Sequence, residues 1–247
     1  MNLLIKFLII CLMGSIFAFS FLFLNFEKRS SIRGHREEIC IYAGSGAVLA
    51  SDVEYALDRL RISYREVDAN FIKGGGLADC SMLIIPGGYT ARYVSALGED
   101  GFREIREFVK RGGVYIGICA GAYLAAERVE VEGRPKGLGI IDIENVRRSG
   151  IGLVEITITN TSHPLVKGCP RTMLIWYQNG PYIIPGKGVE VIARYDEEYA
   201  AIVCSTYGKG RVLIFSPHPE GNLKERADPI KLGTAKLLEN AITLMRG

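Results

Sequence analysis

The sequence is poor in the patterns that bind metals or cross-link a chain. Its three histidines, His35, His163 and His218, are far apart, and its six cysteines, Cys11, Cys40, Cys80, Cys119, Cys169 and Cys204, include no Cys-x-x-Cys pair and no regular spacing. Neither a zinc site nor a disulfide framework is indicated. Cys40, Cys80 and Cys204 lie in or beside apolar runs and are expected to be core residues. A phosphate fingerprint is missing too: Gly44-Ser45-Gly46 begins like one, but Leu49 stands where the third glycine belongs, so the segment is expected to be a turn. No cofactor and no metal are expected. Charge of one sign is also lacking. Five of the 30 basic residues and one of the 27 acidic residues fall within residues 1–36, and the rest of the chain is close to neutral. That balance argues against a nucleic-acid partner. No internal repeat or low-complexity tract is present.

What the chain does have at its start is an uncharged apolar stretch from Phe7 to Leu24, preceded by Lys6. It is long enough to cross most of a bilayer and reads as a signal peptide or a membrane anchor. A cleavage site would use Ala18-Phe19-Ser20, yet the apolar run continues through Leu24, which favours an uncleaved anchor over residues 1–24. A basic polar linker, 25–37, follows, and its charges suit anionic lipid headgroups. With Lys28, Arg29, Arg33 and Arg36 after the stretch, the positive-inside rule leans toward a cytoplasmic domain. A short basic start is also how secreted chains begin, so the side of the membrane is left open.

Residues 38–247 are expected to form one α/β domain. Apolar runs alternate with helix-like segments: Ile39–Ala43, a helical stretch over Val53–Leu60, a strand at Tyr64–Val67, Met82–Ile85, an amphipathic helix over Phe102–Lys110, then Val114–Ile118. This is the pattern of a doubly wound, mostly parallel sheet flanked by helices. From Ile140 to about Leu213 the texture changes to β-branched runs that look like antiparallel or edge strands. Gly208-Lys209-Gly210 reads as a hairpin turn, and a helix from about Pro229 to Met245 closes the chain.

Three loops carry chemistry. Val114-Tyr115-Ile116-Gly117-Ile118-Cys119-Ala120-Gly121 would place the Cys119 sulfur on a sharp strand-to-helix turn, which small residues at 117 and 121 permit. The following helix N-terminus would favour its thiolate. By itself the motif also fits an inert buried cysteine. Ile85-Pro86-Gly87-Gly88 and Ser216-Pro217-His218-Pro219-Glu220 likewise end apolar runs, and in a doubly wound sheet the loops at the carboxyl ends of strands share one edge. On that convergence Cys119 is the expected nucleophile, His218 its base and Glu220 the residue that orients the imidazole. The backbone N–H groups of Gly88 and Ala120 are expected to form an oxyanion hole. Gly87, Tyr89, Tyr123, Tyr177 and Asn179 are candidate substrate contacts, with turn and core-edge roles equally open; His163-Pro164 is read as a turn only.

The set resembles the class I glutamine amidotransferase-like fold. It is most like the domain at the N-terminus of biotin-protein ligases and its stand-alone prokaryotic relatives, through Ile85–Gly88, Gly117–Tyr123, Trp176-Tyr177-Gln178-Asn179-Gly180-Pro181 and Ser216–Glu220. The resemblance covers about Glu38 to Gly247 and implies triad roles for Cys119, His218 and Glu220. Glutaminase members commonly have Gln where this chain has Tyr123, and a related peptidase-like branch has His where it has Ala120. Biotin transfer is not expected. The expected function is a membrane-tethered cysteine amidohydrolase or amidotransferase acting on a small-molecule amide, with a synthetase or acceptor protein as partner. The alternative is a non-catalytic binding or assembly module that keeps the fold.

Overall fold

The computed structural model of the chain describes residues 38–127 and 136–246. The expected anchor, the whole linker, Cys11 and His35 lie outside them. Among the described residues, no helix is long and apolar enough to cross a membrane.

The first half alternates strand and helix as its apolar periodicity requires. Strand β1 (Glu38–Tyr42) leads to helix α1 (Ala50–Arg59), which buries Ala50, Val53, Ala56 and Leu57 along one stripe. Strand β2 (Arg65–Val67) and a short helix α2 (Ala69–Lys73) follow, the helix capped by the Asp68 carboxylate accepting from the Phe71 N–H at 2.8 Å. After β3 (Cys80–Ile85) comes α3 (Thr90–Lys110), longer than the expected Phe102–Lys110 because it continues across a kink at Gly98, where φ is 58°. Strand β4 (Val114–Ile118) then runs into the six-residue helix α4 (Ala120–Ala125).

The second half is a set of strands: β5 (Ile143–Arg147), β6 (Ile151–Ile158), β7 (Thr172–Gln178), β8 (Pro181–Pro185), β9 (Glu190–Arg194), β10 (Ala200–Tyr207) and β11 (Gly210–Phe215). The closing helical region is two pieces, α5 (Pro229–Leu232) and α6 (Ala235–Arg246), parted at Gly233, where φ is 76°.

All strands join one sheet in the order β2-β1-β3-β4-β11-β10-β9-β6-β7, with β8 pairing to β10 and β5 to β8. The pairs among β2, β1, β3, β4 and β11 are parallel, and every pairing beyond β11 is antiparallel. The sheet is therefore mixed rather than mostly parallel. Short turns such as Gly208-Lys209 cannot carry a parallel crossover, so the β-branched region folds back on itself.

Alternation along the parallel strands divides the core in two. Cys40, Tyr42, Leu83, Ile85, Tyr115, Val212 and Ile214 face the layer of Tyr93, Leu97, Ile105 and Phe108 from α3. Ile39, Ile41, Met82, Ile84, Ile116, Ile118, Leu213 and Phe215 face Val53 and Leu57 of α1 and Leu237, Leu238 and Ala241 of α6. Both faces of the parallel strands are thus covered, which accounts for their near-continuous apolar runs. Within the first layer Cys40 and Cys80 form a disulfide between β1 and β3, with Cα atoms 6.2 Å apart. This corrects the expectation that both are merely core thiols: no spacing in the sequence brings them together, but adjacency of β1 and β3 does.

Candidate active site

Strands β3, β4 and β11 are consecutive and parallel, with Ile85 paired to Gly117 and Phe215 to Ile118. Their carboxyl ends, and the three loops that follow, therefore meet at one place. At the centre Cys119 adopts φ 52° and ψ −98°, a backbone state costing a non-glycine residue about 1–3 kcal/mol. The turn closes this tightly because neighbours have no side chains: a β-carbon on Gly121 would strike the Ile85 carbonyl oxygen, and one on Gly117 would stand 2.6 Å from that of Gly121. The Cys119 N–H donates to the Phe215 carbonyl at 2.9 Å, and the buried Tyr115 hydroxyl donates to Gly121 at 2.8 Å. Burial holds that phenol well above its usual pKa, so it stays a neutral donor.

His218 and Glu220 are fully buried, their Nδ1 and Oε1 atoms 2.8 Å apart. The loop that carries them is fixed by the His218 N–H donating to the Trp176 carbonyl at 2.8 Å. Burial pushes the imidazole toward its neutral form, but the Glu220 carboxylate and the Cys119 sulfur outweigh it and raise the His218 pKa to about 10. Burial raises Glu220 as well, and the His218 charge opposes that rise. Cys119 is 8% exposed, and its S–H is directed at the Gln178 carbonyl oxygen, 3.3 Å away. His218 Nε2 and Glu220 Oε2 have no hydrogen-bond partner among the described residues. Cys119 is thus near enough to raise the imidazole's proton affinity. Helix α4, six residues long, is too short for a large dipole.

A cavity of about 510 Å³ opens over the sulfur, within the range of small-molecule sites. Gly88, Ala120, Tyr89, Tyr123 and Asn179 line it. Tyr123 is 4% exposed, its hydroxyl donating to the Asn179 carbonyl at 3.4 Å. Ala120, the first residue of α4, has an N–H without an intrahelical acceptor. The Gly88 N–H meets no protein acceptor among the described residues.

Two expected contacts are corrected. Tyr177 is 3% exposed and lies behind the cavity wall, its hydroxyl 2.8 Å from both the Arg148 and the Gly180 carbonyl oxygens. Gly87 packs against His218 instead of lining the cavity.

The sequence reading missed several contributors. Val48 and Leu49 line the cavity from the Gly44–Gly46 turn, which is tied to the Gly88 loop by the Tyr89 N–H donating to the Gly46 carbonyl at 2.9 Å. Arg147 and Ser149 reach it from the end of β5 and the turn beyond; among the described residues Arg147 is the one charged residue in the lining. Tyr93 clamps the Pro86 carbonyl at 2.8 Å from the kinked helix. The Gln178 side chain accepts from Trp176 Nε1 at 3.3 Å and from Asn222 at 3.1 Å, which sets the carbonyl that faces the thiol.

Away from the cavity, His163, Glu190 and Cys204 bring one ligand atom each within 4.8 Å of one another. The spacing suits a cation, but His163 Nδ1 accepts the Leu165 N–H at 3.1 Å, so a neutral imidazole carries its proton on Nε2. That atom then faces the Cys204 sulfur at 3.8 Å as a donor, and the thiol donates to Glu190 at 3.6 Å. The cluster reads as a hydrogen-bonded relay. His163 also caps the short turn Pro164–Val166.

Comparison with known proteins places the chain in a family. Residues 37–147 match the family model described as "Biotin-protein ligase, N terminal". The chain is 28% identical over 177 residues to a biotin–protein ligase of Schizosaccharomyces pombe, covering 63% of this chain and only 28% of the ligase. It is 35% identical over 145 residues to a pyridoxal 5′-phosphate synthase subunit PdxT of Koribacter versatilis, covering 58% of this chain and 70% of that subunit. Among solved structures, a glutamine amidotransferase superposes with a TM-score of 0.61 at 23% identity, over 84% of this chain and 97% of the other. The chain belongs to the class I glutamine amidotransferase-like superfamily, and its residues 37–147 match the biotin-protein ligase N-terminal family model.

Proposed function

We propose that Cys119, His218 and Glu220 act as nucleophile, base and orienting acid in the cleavage of a small-molecule amide. The observation that carries this reading is the fully buried His218–Glu220 pair set beside a strained cysteine that opens onto a cavity. The sulfur turns from the Gln178 carbonyl and leaves its proton on His218 Nε2, an ion pair that the raised proton affinity of the imidazole favours, and the resulting thiolate attacks the amide carbonyl carbon. The resulting oxyanion is held by the N–H groups of Gly88 and Ala120. His218 returns the proton to the departing nitrogen as the C–N bond breaks, leaving a thioester on Cys119. Water, or an acceptor's amine, then attacks the thioester carbon, giving its proton to His218 and releasing the sulfur. Arg147, the single charge in the lining among the described residues, suits a substrate that bears an anionic group away from its amide.

The Koribacter relative is named as a synthase subunit, which supports a partner protein that consumes the released amine. Biotin transfer is not part of the proposal, because the match lies in a small share of the ligase. The apolar stretch Phe7–Leu24 supports tethering to a membrane. The Cys40–Cys80 disulfide supports a domain on the oxidising side of it, against the lean given by the basic flank.

The test incubates the full-length chain with a panel of amides that includes glutamine, reading ammonia release and Cys119 acylation by mass. Turnover lost in Cys119→Ser and His218→Ala is the expected result. Absence of both turnover and acylation across the panel overturns the reading. It would favour a non-catalytic module, for which the observation is the Cys119 thiol resting on the Gln178 carbonyl.

A further inference from the structure

The turn between β5 and β6 supplies Arg147 and Ser149 to the cavity, and the residue between them points elsewhere. Arg148 lays its guanidinium over two tyrosine rings, 5.0 Å from the centroid of Tyr182 and 5.3 Å from that of Tyr199. Tyr182 is stacked on Tyr195 at 4.4 Å, and Tyr195 meets Tyr177 edge-on at 5.9 Å. This tyrosine box is anchored to the catalytic loop: the Tyr195 hydroxyl is 2.7 Å from Ser216 Oγ, two residues before His218. The backbone of the same turn is held from the other side. The Arg148 carbonyl accepts from Tyr177, while Gly150 and Asn179 exchange two hydrogen bonds, Gly150 N–H to Asn179 Oδ1 and Asn179 N–H to Gly150 O, each 2.9 Å.

Arg148 is exposed, so no burial requirement accounts for its placement. A guanidinium is suited to lying flat on aromatic faces. Its contact with two rings turns one side chain into a clasp, and the residues on either side of it are the ones that reach over Cys119.

We propose that Arg148 is a positioning residue: seated on Tyr182 and Tyr199, it holds the Arg147–Ser149 turn over the cavity and so sets how strongly Cys119 favours an anionic over a neutral electrophile. The inference rests on the reading of Cys119 as a reactive thiol. It adds a residue that touches neither thiol nor substrate and acts through its neighbour.

The experiment alkylates Cys119 in the full-length chain with iodoacetate and with iodoacetamide, following that site by peptide mass mapping. The two reagents differ in charge, so the ratio of their rates reports the cation over the sulfur and is insensitive to a general loss of folded protein. Arg148→Met is expected to lower the iodoacetate-to-iodoacetamide ratio about three- to fivefold, approaching the ratio of Arg147→Met, while Arg148→Lys retains most of it. Amide exchange at Ser149 and Gly150 is expected to quicken at least about threefold in Arg148→Met and to stay unchanged in Arg147→Met. A wild-type ratio in Arg148→Met overturns the proposal, as does unchanged exchange. If Cys119 resists both reagents, the nucleophile reading and the selectivity claim fall together, and the exchange measurement still decides whether Arg148 holds the turn.

Discussion

Gly87 and His218 touch: a β-carbon on Gly87 would stand 2.7 Å from the imidazole Cε1 and 2.9 Å from Leu49 Cδ1. The glycine is therefore part of the surface that fixes the His218 ring, the proposed base. Gly87→Ala is expected to push the ring aside and lower kcat/KM about 100-fold, the cost of misplacing a catalytic group by about 1 Å, with little loss of thermal stability. Gly88→Ala is expected to behave differently, because its β-carbon would meet the Gly46 carbonyl oxygen and the Val48 nitrogen, which are backbone. There the loss should appear in folding, about 1–3 kcal/mol by denaturant titration. Equal behaviour of the two variants would contradict these assignments.

The Gly87–His218 contact also shows where sequence reading ends. The glycine pair was visible as a loop at a strand end, and the rule that such loops share an edge brought Cys119, His218 and Gly88 together correctly. Which glycine faces the cavity and which faces the histidine depends on backbone direction, and no composition encodes it. Arg147 was invisible for a related reason: β5, Ile-Glu-Asn-Val-Arg, is short and only half apolar, so nothing marks it as a strand aimed at the site. The Cys40–Cys80 bond follows from the pairing of β1 with β3, a long-range fact. Local periodicity served well for the buried parallel strands, whose sequence and burial agree, and less well where β5, β7 and β8 pair antiparallel.

The buried pair predicts a pH dependence of stability. His218 is raised from its ordinary value near 6.5 to about 10, chiefly by Glu220 against the opposing effect of burial. The imidazolium thus binds its proton more tightly in the folded chain, and its contribution is complete below about pH 6.5 and lost as pH rises through about 10. The unfolding temperature should fall across that interval. Glu220→Gln removes the carboxylate that raises His218, so its unfolding temperature should fall less steeply there. Identical slopes in the two proteins would show that the pair does not govern this range.

Strain at Cys119 gives a prediction that needs no substrate. At φ 52° and ψ −98°, any side chain with a β-carbon is held in a costly conformation, and glycine is not. Cys119→Gly should be more stable than Cys119→Ala by about 1 kcal/mol in urea titration, although the reverse holds at an unstrained site. An alanine variant as stable as the glycine one would mean that the turn relaxes once the sulfur is removed.

Cys204 provides an internal contrast to Cys119, the proposed nucleophile. Its thiol is pushed up to about 12 by burial, then by the Glu190 carboxylate that accepts its proton. At pH 8 it should alkylate slowly. Glu190→Gln removes the second cause and should speed iodoacetamide labelling of Cys204 several-fold, about the effect of losing one nearby charge. Labelling of Cys119, at the turn between β4 and α4 and away from β10, should not change. If Glu190→Gln leaves Cys204 as slow as before, burial alone sets its reactivity and the relay through His163 contributes nothing to it.

The disulfide joins residues 40 apart in sequence, and it ties together two strands that carry the sheet up to the Gly87 loop. Closing a loop of that length in the unfolded chain is worth roughly 4 kcal/mol by the chain-entropy argument. Reductant should therefore lower the denaturation midpoint of the wild-type chain and leave a Cys40→Ala/Cys80→Ala double variant where it is. The double variant isolates the bond from the other thiols, since Cys11, Cys119, Cys169 and Cys204 remain in both proteins. Trapping thiols with an alkylating reagent before the cells are opened extends the test to the compartment. A chain recovered with Cys40 and Cys80 already linked agrees with a domain on the oxidising side, because cytosolic thiols are normally kept reduced. Recovery with both thiols alkylated would return the domain to the side that its basic flank first suggested.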